Sequence, residues 1–322
     1  MDIYGIINSG DMTKIDLLFQ KKDFDVKYEE AKSQYDVTKH KVFDATSRPA
    51  KVINKDTGEV KDDGSPNTIK TTVEVARIGV PLQETIVEQR IGFMLSLPVK
   101  YNMLSEDKNG RKMIDRVNYI LEKNRMDFKN KEILRRQMSE LECAELWYFA
   151  EATDYDTKLT MKCKILSPAL NDILIPVYDD YGDMIAFGRK YKIKENDKEI
   201  EHFDIYTALY EYHYVNRGEW KLDDLTDTKG NPIPNPIPNP IGKIPIVYHS
   251  QDKPEWYKSQ SMIERLEESM SNHADMNDYF GSPILAISGE VLGFSQKGEQ
   301  GKIIELNQEA RANYLQLTTP PE

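Results

Sequence analysis

The sequence predicts an α+β protein with a helical first part, an antiparallel-sheet middle, one long helix and a small α/β knob. Three observations predict it. Apolar residues recur with helical spacing up to about residue 143, and short apolar strands broken by turns follow from 144 to 221. A proline-rich segment, Asn231 to Pro240, leads to a short apolar run and an amphipathic helix between Pro254 and Phe280. The last stretch alternates apolar runs with glycines.

The elements read in order as follows. Residues 12 to 40 are helical, with Ile15, Leu18 and Phe19 and then Tyr28, Ala31 and Tyr35 as apolar patches. Residues 54 to 67 are polar, carry turn signals and read as an exposed, mobile loop. A helix is predicted over 72 to 97, kinked at Pro81 or divided there into two helices end to end, and a strand over Val99 to Met103. Two further helices cover 111 to 124 and 127 to 143. Strands are predicted at 146–152, 159–166, 173–178, 184–193, 203–206, 209–215 and 219–221, an antiparallel meander. The Asn-Pro-Ile-Pro repeat reads as a stiff polyproline spacer. It delivers the chain to an Ile244–Tyr248 strand.

On the long helix, Ile263, Leu266, Met270, Ala274 and Asn277 share one stripe at about 100° per residue. Glu264, Glu268, Ser271, Asp275 and Asp278 form a polar second stripe. That stripe is read either as a solvated face or as a pore-facing one. After the helix come strands at 283–287, 302–306 and 311–318, with a glycine-rich excursion from Gly289 to Gly301.

Composition bounds the function. At 322 residues the chain holds two domains or one large irregular one. Eighteen tyrosines and ten phenylalanines argue against disorder, so the mean hydropathy of −0.63 points to a folded, multi-part chain with much surface. The net charge of −11 excludes a protein that grips nucleic acid over its whole surface. Cys143 and Cys163 form no CxxC and read as reduced, buried thiols of a reducing cytoplasm. No secretory signal is legible after Met1, and the longest apolar runs are short and contain Pro98 and Pro176. No membrane span is expected.

Catalytic motifs are missing. Gly293 to Gly298 has the spacing of a phosphate loop, but Glu299 stands where lysine is needed and would repel phosphate. G-x-S-x-G, H-E-x-x-H and G-x-G-x-x-G do not occur. The five histidines are scattered singly and read as structural or exposed. Asp179, Asp180 and Asp183 suit a hairpin tip better than a cation site, and so do Asp223, Asp224 and Asp227. No metal, cofactor or catalytic residue is assigned.

Several segments carry a family resemblance by their order. Tyr35 to Phe43 (YDVTKHKVF) is followed by Arg90 to Pro98 (RIGFMLSLP). Ser167-Pro168 runs through Val177-Tyr178-Asp179 to Arg189-Lys190-Tyr191. Gly242 to Val247 (GKIPIV) then precedes the long helix. In this order the chain resembles the portal proteins of tailed double-stranded DNA phages across roughly residues 30 to 318.

The resemblance implies a portal-like fold: a wing over 1–250, a stem helix over 251–281 and a clip over 282–322. It implies a ring of copies, usually twelve, at one capsid vertex, through which DNA passes during packaging and ejection. An acidic channel suits DNA that must slide. The implied partners are other copies of the chain, the terminase large subunit, a head-completion adaptor, the major capsid protein and DNA bound without sequence specificity. Glu264, Glu268, Asp275 and Asp278 would face the channel, and Phe294, Gln296, Lys297 and Lys302 would lie in the terminase-docking clip. ATP hydrolysis would belong to the terminase. The implied location is the virion, after assembly in the host cytoplasm. One departure is that portal chains continue into a second stem helix, tunnel loop and crown, whereas this sequence stops at Glu322. The alternative readings are another virion or protein-binding scaffold protein and, more weakly, an enzyme built on Asp179 to Asp183.

Overall fold

A computed structural model describes residues 3–21, 23–60, 66–103, 108–151, 159–195, 197–226, 230–281, 284–287 and 302–305. Helices α1 (Ile3–Asn8), α2 (Met12–Leu18) and α3 (Tyr28–Tyr35) come first. Strands β1 (Lys51–Val60) and β2 (Pro66–Val73) follow, then α4 (Leu82–Met94), α5 (Lys108–Lys123) and α6 (Met126–Glu140). The strand-rich middle holds β3 (Glu142–Glu151), β4 (Leu159–Leu166), β5 (Ile173–Tyr178), β6 (Met184–Glu195), β7 (Lys198–Tyr206), β8 (Tyr210–Asn216) and β9 (Trp220–Leu222). Short strands β10 (Leu225–Thr226), β11 (Pro232–Ile233), β12 (Ile237–Pro238) and β13 (Ile246–Ser250) lead to α7 (Gln260–Phe280). The last pair is β14 (Ile284–Ile287) and β15 (Lys302–Glu305). The class is α+β, as the sequence predicts.

The chain divides into two compact units, residues 1–35 with 83–258 and residues 36–82 with 259–322. In the first, β5 to β9 form the expected antiparallel meander, with β12 and β9 both pairing β8. A second antiparallel sheet has the order β13-β3-β4.

The larger sheet is covered on both faces, and the period-2 rule assigns the residues. Ile175, Val177, Phe203, Ile205 and Tyr212 face α1 and α2, meeting Ile7, Ile15 and Phe19. Leu174, Phe187 and Tyr206 face the other way, onto Ala144, Leu146, Leu166 and Ile246 of the smaller sheet. Phe19 packs edge-on against Phe203 at 5.4 Å between ring centres, directly over Gly188. A Cβ at 188 would lie 2.7 Å from the Phe19 ring, so only glycine lets the rings close down on β6.

A helical core sits beside the sheets. Val87 and Ile91 of α4, Met138 and Leu141 at the end of α6, and Ala31 of α3 surround the fully buried Trp256. Trp256 stacks on Tyr35 and donates its indole N–H to Oε1 of Gln34 at 2.9 Å. Burying one such ring contributes about 3 kcal/mol.

Five expectations change. The helix predicted over 12–40 is broken between Leu18 and Tyr28, and α1 precedes it. Residues 54–67 belong largely to the β1–β2 hairpin, because Val52, Ile53, Ile69, Thr71, Thr72 and Val73 favour a pleated backbone over a loop. Helix α4 begins only at Leu82. Pro81 pushes Val80 out of the helical region, and residues 74–80 stay extended. Residues 98–103 form no strand.

The Asn-Pro repeat is no free spacer. Asn235 donates Nδ2 to the carbonyls of His213 and Asp223, and Asn239 donates to those of Thr207 and Lys243. Proline has no N–H to offer a sheet edge, so the asparagine side chains supply the donors and strap the segment along β8.

The second unit contains the β1–β2 hairpin, the extended segment 74–81, α7 and the parallel pair β14–β15. The expected strand at 311–318 and the excursion 289–301 lie outside the described residues.

Candidate functional site

Helix α7 runs through 21 residues because nothing between Gln260 and Phe280 is glycine or proline. Its buried line is not the predicted apolar stripe. Of that stripe Ile263 is buried, Ala274 is half-buried, and Leu266, Met270 and Asn277 are exposed, while Glu267 and Ser271 are deeply buried. Polar groups fill this line because they answer the backbone of residues 74–80.

Val80 donates its amide to Glu267 Oε1 at 2.8 Å, Ile78 donates to Ser271 Oγ at 2.9 Å, and Ala76 donates to Asp275 Oδ1 at 2.7 Å. The geometry explains the match. Alternate amides of an extended chain are about 6.6 Å apart, and four helical residues rise about 6 Å. Residues 76, 78 and 80 therefore meet 275, 271 and 267 one for one. Three backbone donors that a helix predicted through Pro81 would have used internally are satisfied here by side chains.

Basic residues of the same unit complete the clamp. Arg48 donates Nε to the Ala76 carbonyl at 2.7 Å, and its two terminal nitrogens reach Asn272 and Asp275, each at 2.8 Å. Lys51 reaches Asp275 at 3.0 Å. Burial pushes the Asp275 carboxyl up, but the Ala76 amide, Lys51 and Arg48 outweigh it and hold the group below its ordinary value. Lys41 pairs with Glu264 at 3.0 Å. Below them, His40 Nδ1 meets Glu267 Oε1 with both side chains buried.

The four acids expected on one free stripe are therefore divided. Asp275 and Glu264 are tied to Arg48, Lys51 and Lys41. Glu268 and Asp278 are exposed, and Glu268 meets Arg265 at 2.6 Å in a surface pair. Lys302 opens β15 opposite Ile284. Phe294, Gln296 and Lys297 lie outside the described residues. Sequence reasoning missed the roles of His40, Arg48 and Glu267. The available signal was the i, i+4 row Ile263, Glu267, Ser271, Asp275 beside an extended segment ending in Gly79 and Pro81.

Elsewhere, Asp179 Oδ1 accepts the amides of Tyr181 and Asp183 as a turn does. Among the described residues no group of three His, Cys, Asp or Glu side chains could hold a metal, and no helix is long and apolar enough to cross a membrane. Both cysteines are free and buried. Burial pushes Cys143 up to about 12 and Cys163 up to about 11.

The family model described as "Phage portal protein, SPP1 Gp6-like" matches residues 20–320. No curated protein matches the chain significantly. The match takes in the strapped Asn-Pro segment, the clamp and the whole of α7. The chain accordingly belongs to the phage portal proteins of the SPP1 Gp6-like family, structural proteins of the capsid vertex that act in DNA packaging.

Proposed function

We propose that the chain is the subunit of a ring through which viral DNA is packaged and ejected, with α7 as a stem helix beside the channel. The family match over residues 20–320 carries this reading. The wing is residues 1–250, the stem 251–281 and the clip 282–322. On the stem, Glu268 and Asp278 present acidic charge toward the DNA path. Glu264 and Asp275 serve the clamp that holds α7 against residues 40–80. A helix fixed at three successive turns keeps its acids at set heights while DNA moves past.

The chemistry of transport is assigned to the partners. The clip, including Phe294, Gln296, Lys297 and Lys302, docks the terminase large subunit during packaging and the head-completion adaptor afterwards. The wing meets the major capsid protein. The chain itself catalyses nothing, and the ring is assembled in the host cytoplasm before it enters the virion.

Electron microscopy of the protein under assembly conditions tests this. Rings with a central channel, twelve-fold in the expected case, are the supporting outcome. Monomers or dimers alone would favour a protein-binding scaffold instead.

A further inference from the structure

Strand β6 overruns its neighbour in the larger sheet. Its pairing with β5 stops at Lys190, opposite Ile173, while its pairing with β7 continues from Tyr191 to Glu195. Local chemistry ends β5 there. Pro168 opens a short 3₁₀ turn, Asn171 takes a φ of 65°, and Asp172 is buried against Arg189 at 2.7 Å. Residues Tyr191 to Glu195, about 17 Å of chain at 3.4 Å each, therefore have no strand along their outer edge among the described residues. The phase of the ladder decides which groups are left over. Thr207 donates its amide to the Tyr210 carbonyl, so residues 207, 205, 203 and 201 bond β8, and 206, 204, 202, 200 and 198 bond β6. Tyr191, Ile193 and Glu195 are then tied to β7, and Lys192 and Lys194 turn their N–H and C=O outward.

These groups open on a cleft of about 830 Å³, lined by residues 190–194 together with Tyr28 and Glu29 of α3, Pro168 and Asn171. Lysines commonly guard an open sheet edge, but two of them are drawn off this one. Lys190 is held by Asp16 at 2.7 Å and Lys192 by Glu201 at 3.2 Å. Lys194 has no ion pair among the described residues. On the other face of the strand, Ile193 is 42% exposed.

We infer that this edge takes an extended segment of a partner protein as an added strand, antiparallel to β6 as β5 is, with a carboxylate beside Lys194 and a β-branched or aromatic side chain beside Ile193. The outward groups of Lys192 and Lys194 recur about 6.8 Å apart, the spacing at which another extended backbone presents its own donors and acceptors. Strand β7 shows the side-chain rule on the inner edge, with Glu201 opposite Lys192, Glu199 opposite Lys194 and Ile200 opposite Ile193. Main-chain bonds give such a strand its affinity, and its alternate side chains give specificity. Docking here is independent of ring formation, since every group involved belongs to the first unit.

Titration of the full chain with a blocked Thr-Val-Glu-Val-Thr peptide tests it, read by binding and by hydrogen exchange. Saturating peptide should slow exchange at the Lys192 and Lys194 amides roughly tenfold. The Glu nitrogen of the peptide faces β6 when its carboxylate sits beside Lys194, so N-methylation of Glu should abolish binding and N-methylation of both Val should not. This comparison leaves the protein unaltered. Lys192→Pro removes one outward donor and keeps the β7 bonds of Tyr191 and Ile193. It should weaken the peptide roughly tenfold while Lys192→Ala does not, with exchange at Ile193 as the control for an intact hairpin. Absence of binding, equal loss with both methylated peptides, or binding that leaves Lys192 and Lys194 unprotected would overturn the added strand. Self-association abolished by Lys192→Pro would give the edge to a second copy and overturn the partner segment.

Discussion

His40 places its Nδ1 2.5 Å from Oε1 of Glu267, and both side chains are buried. The same oxygen accepts the Val80 amide, so one carboxylate joins a turn, an extended segment and α7. Glu267→Ala leaves an imidazole and an amide buried without that acceptor and should cost about 3 kcal/mol. Glu267→Gln keeps an acceptor and should cost about 1 kcal/mol. Urea unfolding measures both, with hydrogen exchange at Val80 as the local readout. Equal costs would show that the acceptor does not matter.

The Asp275 carboxyl titrates below its ordinary value of 3.8. A depressed carboxylate contributes stability that is present above the unfolded value and lost as pH falls through the folded one. The second unit should therefore weaken as pH drops below about 4. Asp275→Asn should cost about 2 kcal/mol at neutral pH and flatten that acid limb. An acid limb of the same slope in the variant would assign it to other carboxylates.

The first unit carries a second buried network, in which Arg189 bonds Asp172 at 2.7 Å and His213 Nδ1 lies 2.7 Å from Asp204. Burial alone would lower the His213 pKa, but the hydrogen bond and charge of Asp204 prevail and raise it above 6.5. Its contribution is complete below the unfolded value and is lost as pH rises through the folded one. Histidine NMR titration should show the raised value in the native protein and its loss in Asp204→Asn. Arg189→Met takes the guanidinium away from buried Asp172 and from Asp204, which lies 3.6 Å from it and keeps His213, and should cost about 3–5 kcal/mol in thermal or denaturant unfolding.

Cys143 and Cys163 are buried, and their thiols sit well above neutrality. Only the thiolate reacts, so a disulfide reagent at mildly alkaline pH should label neither until denaturant is added. Rapid labelling of the native chain would contradict this burial.

Glu268→Lys with Asp278→Lys adds phosphate-binding charge to the exposed side of α7 without touching the clamp. If these residues flank moving DNA, packaging in a reconstituted motor should slow, and the effect should shrink with added salt. Unchanged packaging would mark them as an ordinary solvated face.

The strands of the meander were legible because their turns are spelled out: Asp179 to Asp183 and Asn216 to Gly218 are local signals, and Gly182 and Gly218 take positive φ there. Helices α5, α6 and α7 were legible because each keeps a helical period between clear stops. The segment 74–80 was misread because Val75, Ile78 and Leu82 carry a helical rhythm. The competing partners for its amides lie almost two hundred residues away, beyond any local window. The Asn-Pro strap was misread for a similar reason, since its donors are side chains and its acceptors belong to β8 and the loops beside it.

The sequence by itself determined the α+β class, the order of the elements, the long helix before the last strands and the family resemblance. Those properties follow from local periodicity, turn chemistry and motif order. Only the tertiary structure decided which face of α7 is buried, that Asp275 and Glu264 are held by Arg48, Lys51 and Lys41, and that residues 36–82 belong with α7. The physical reason is that a polar side chain becomes a buried acceptor only where the fold brings backbone donors to it, and the 74–80 amides reach α7 only through long-range packing.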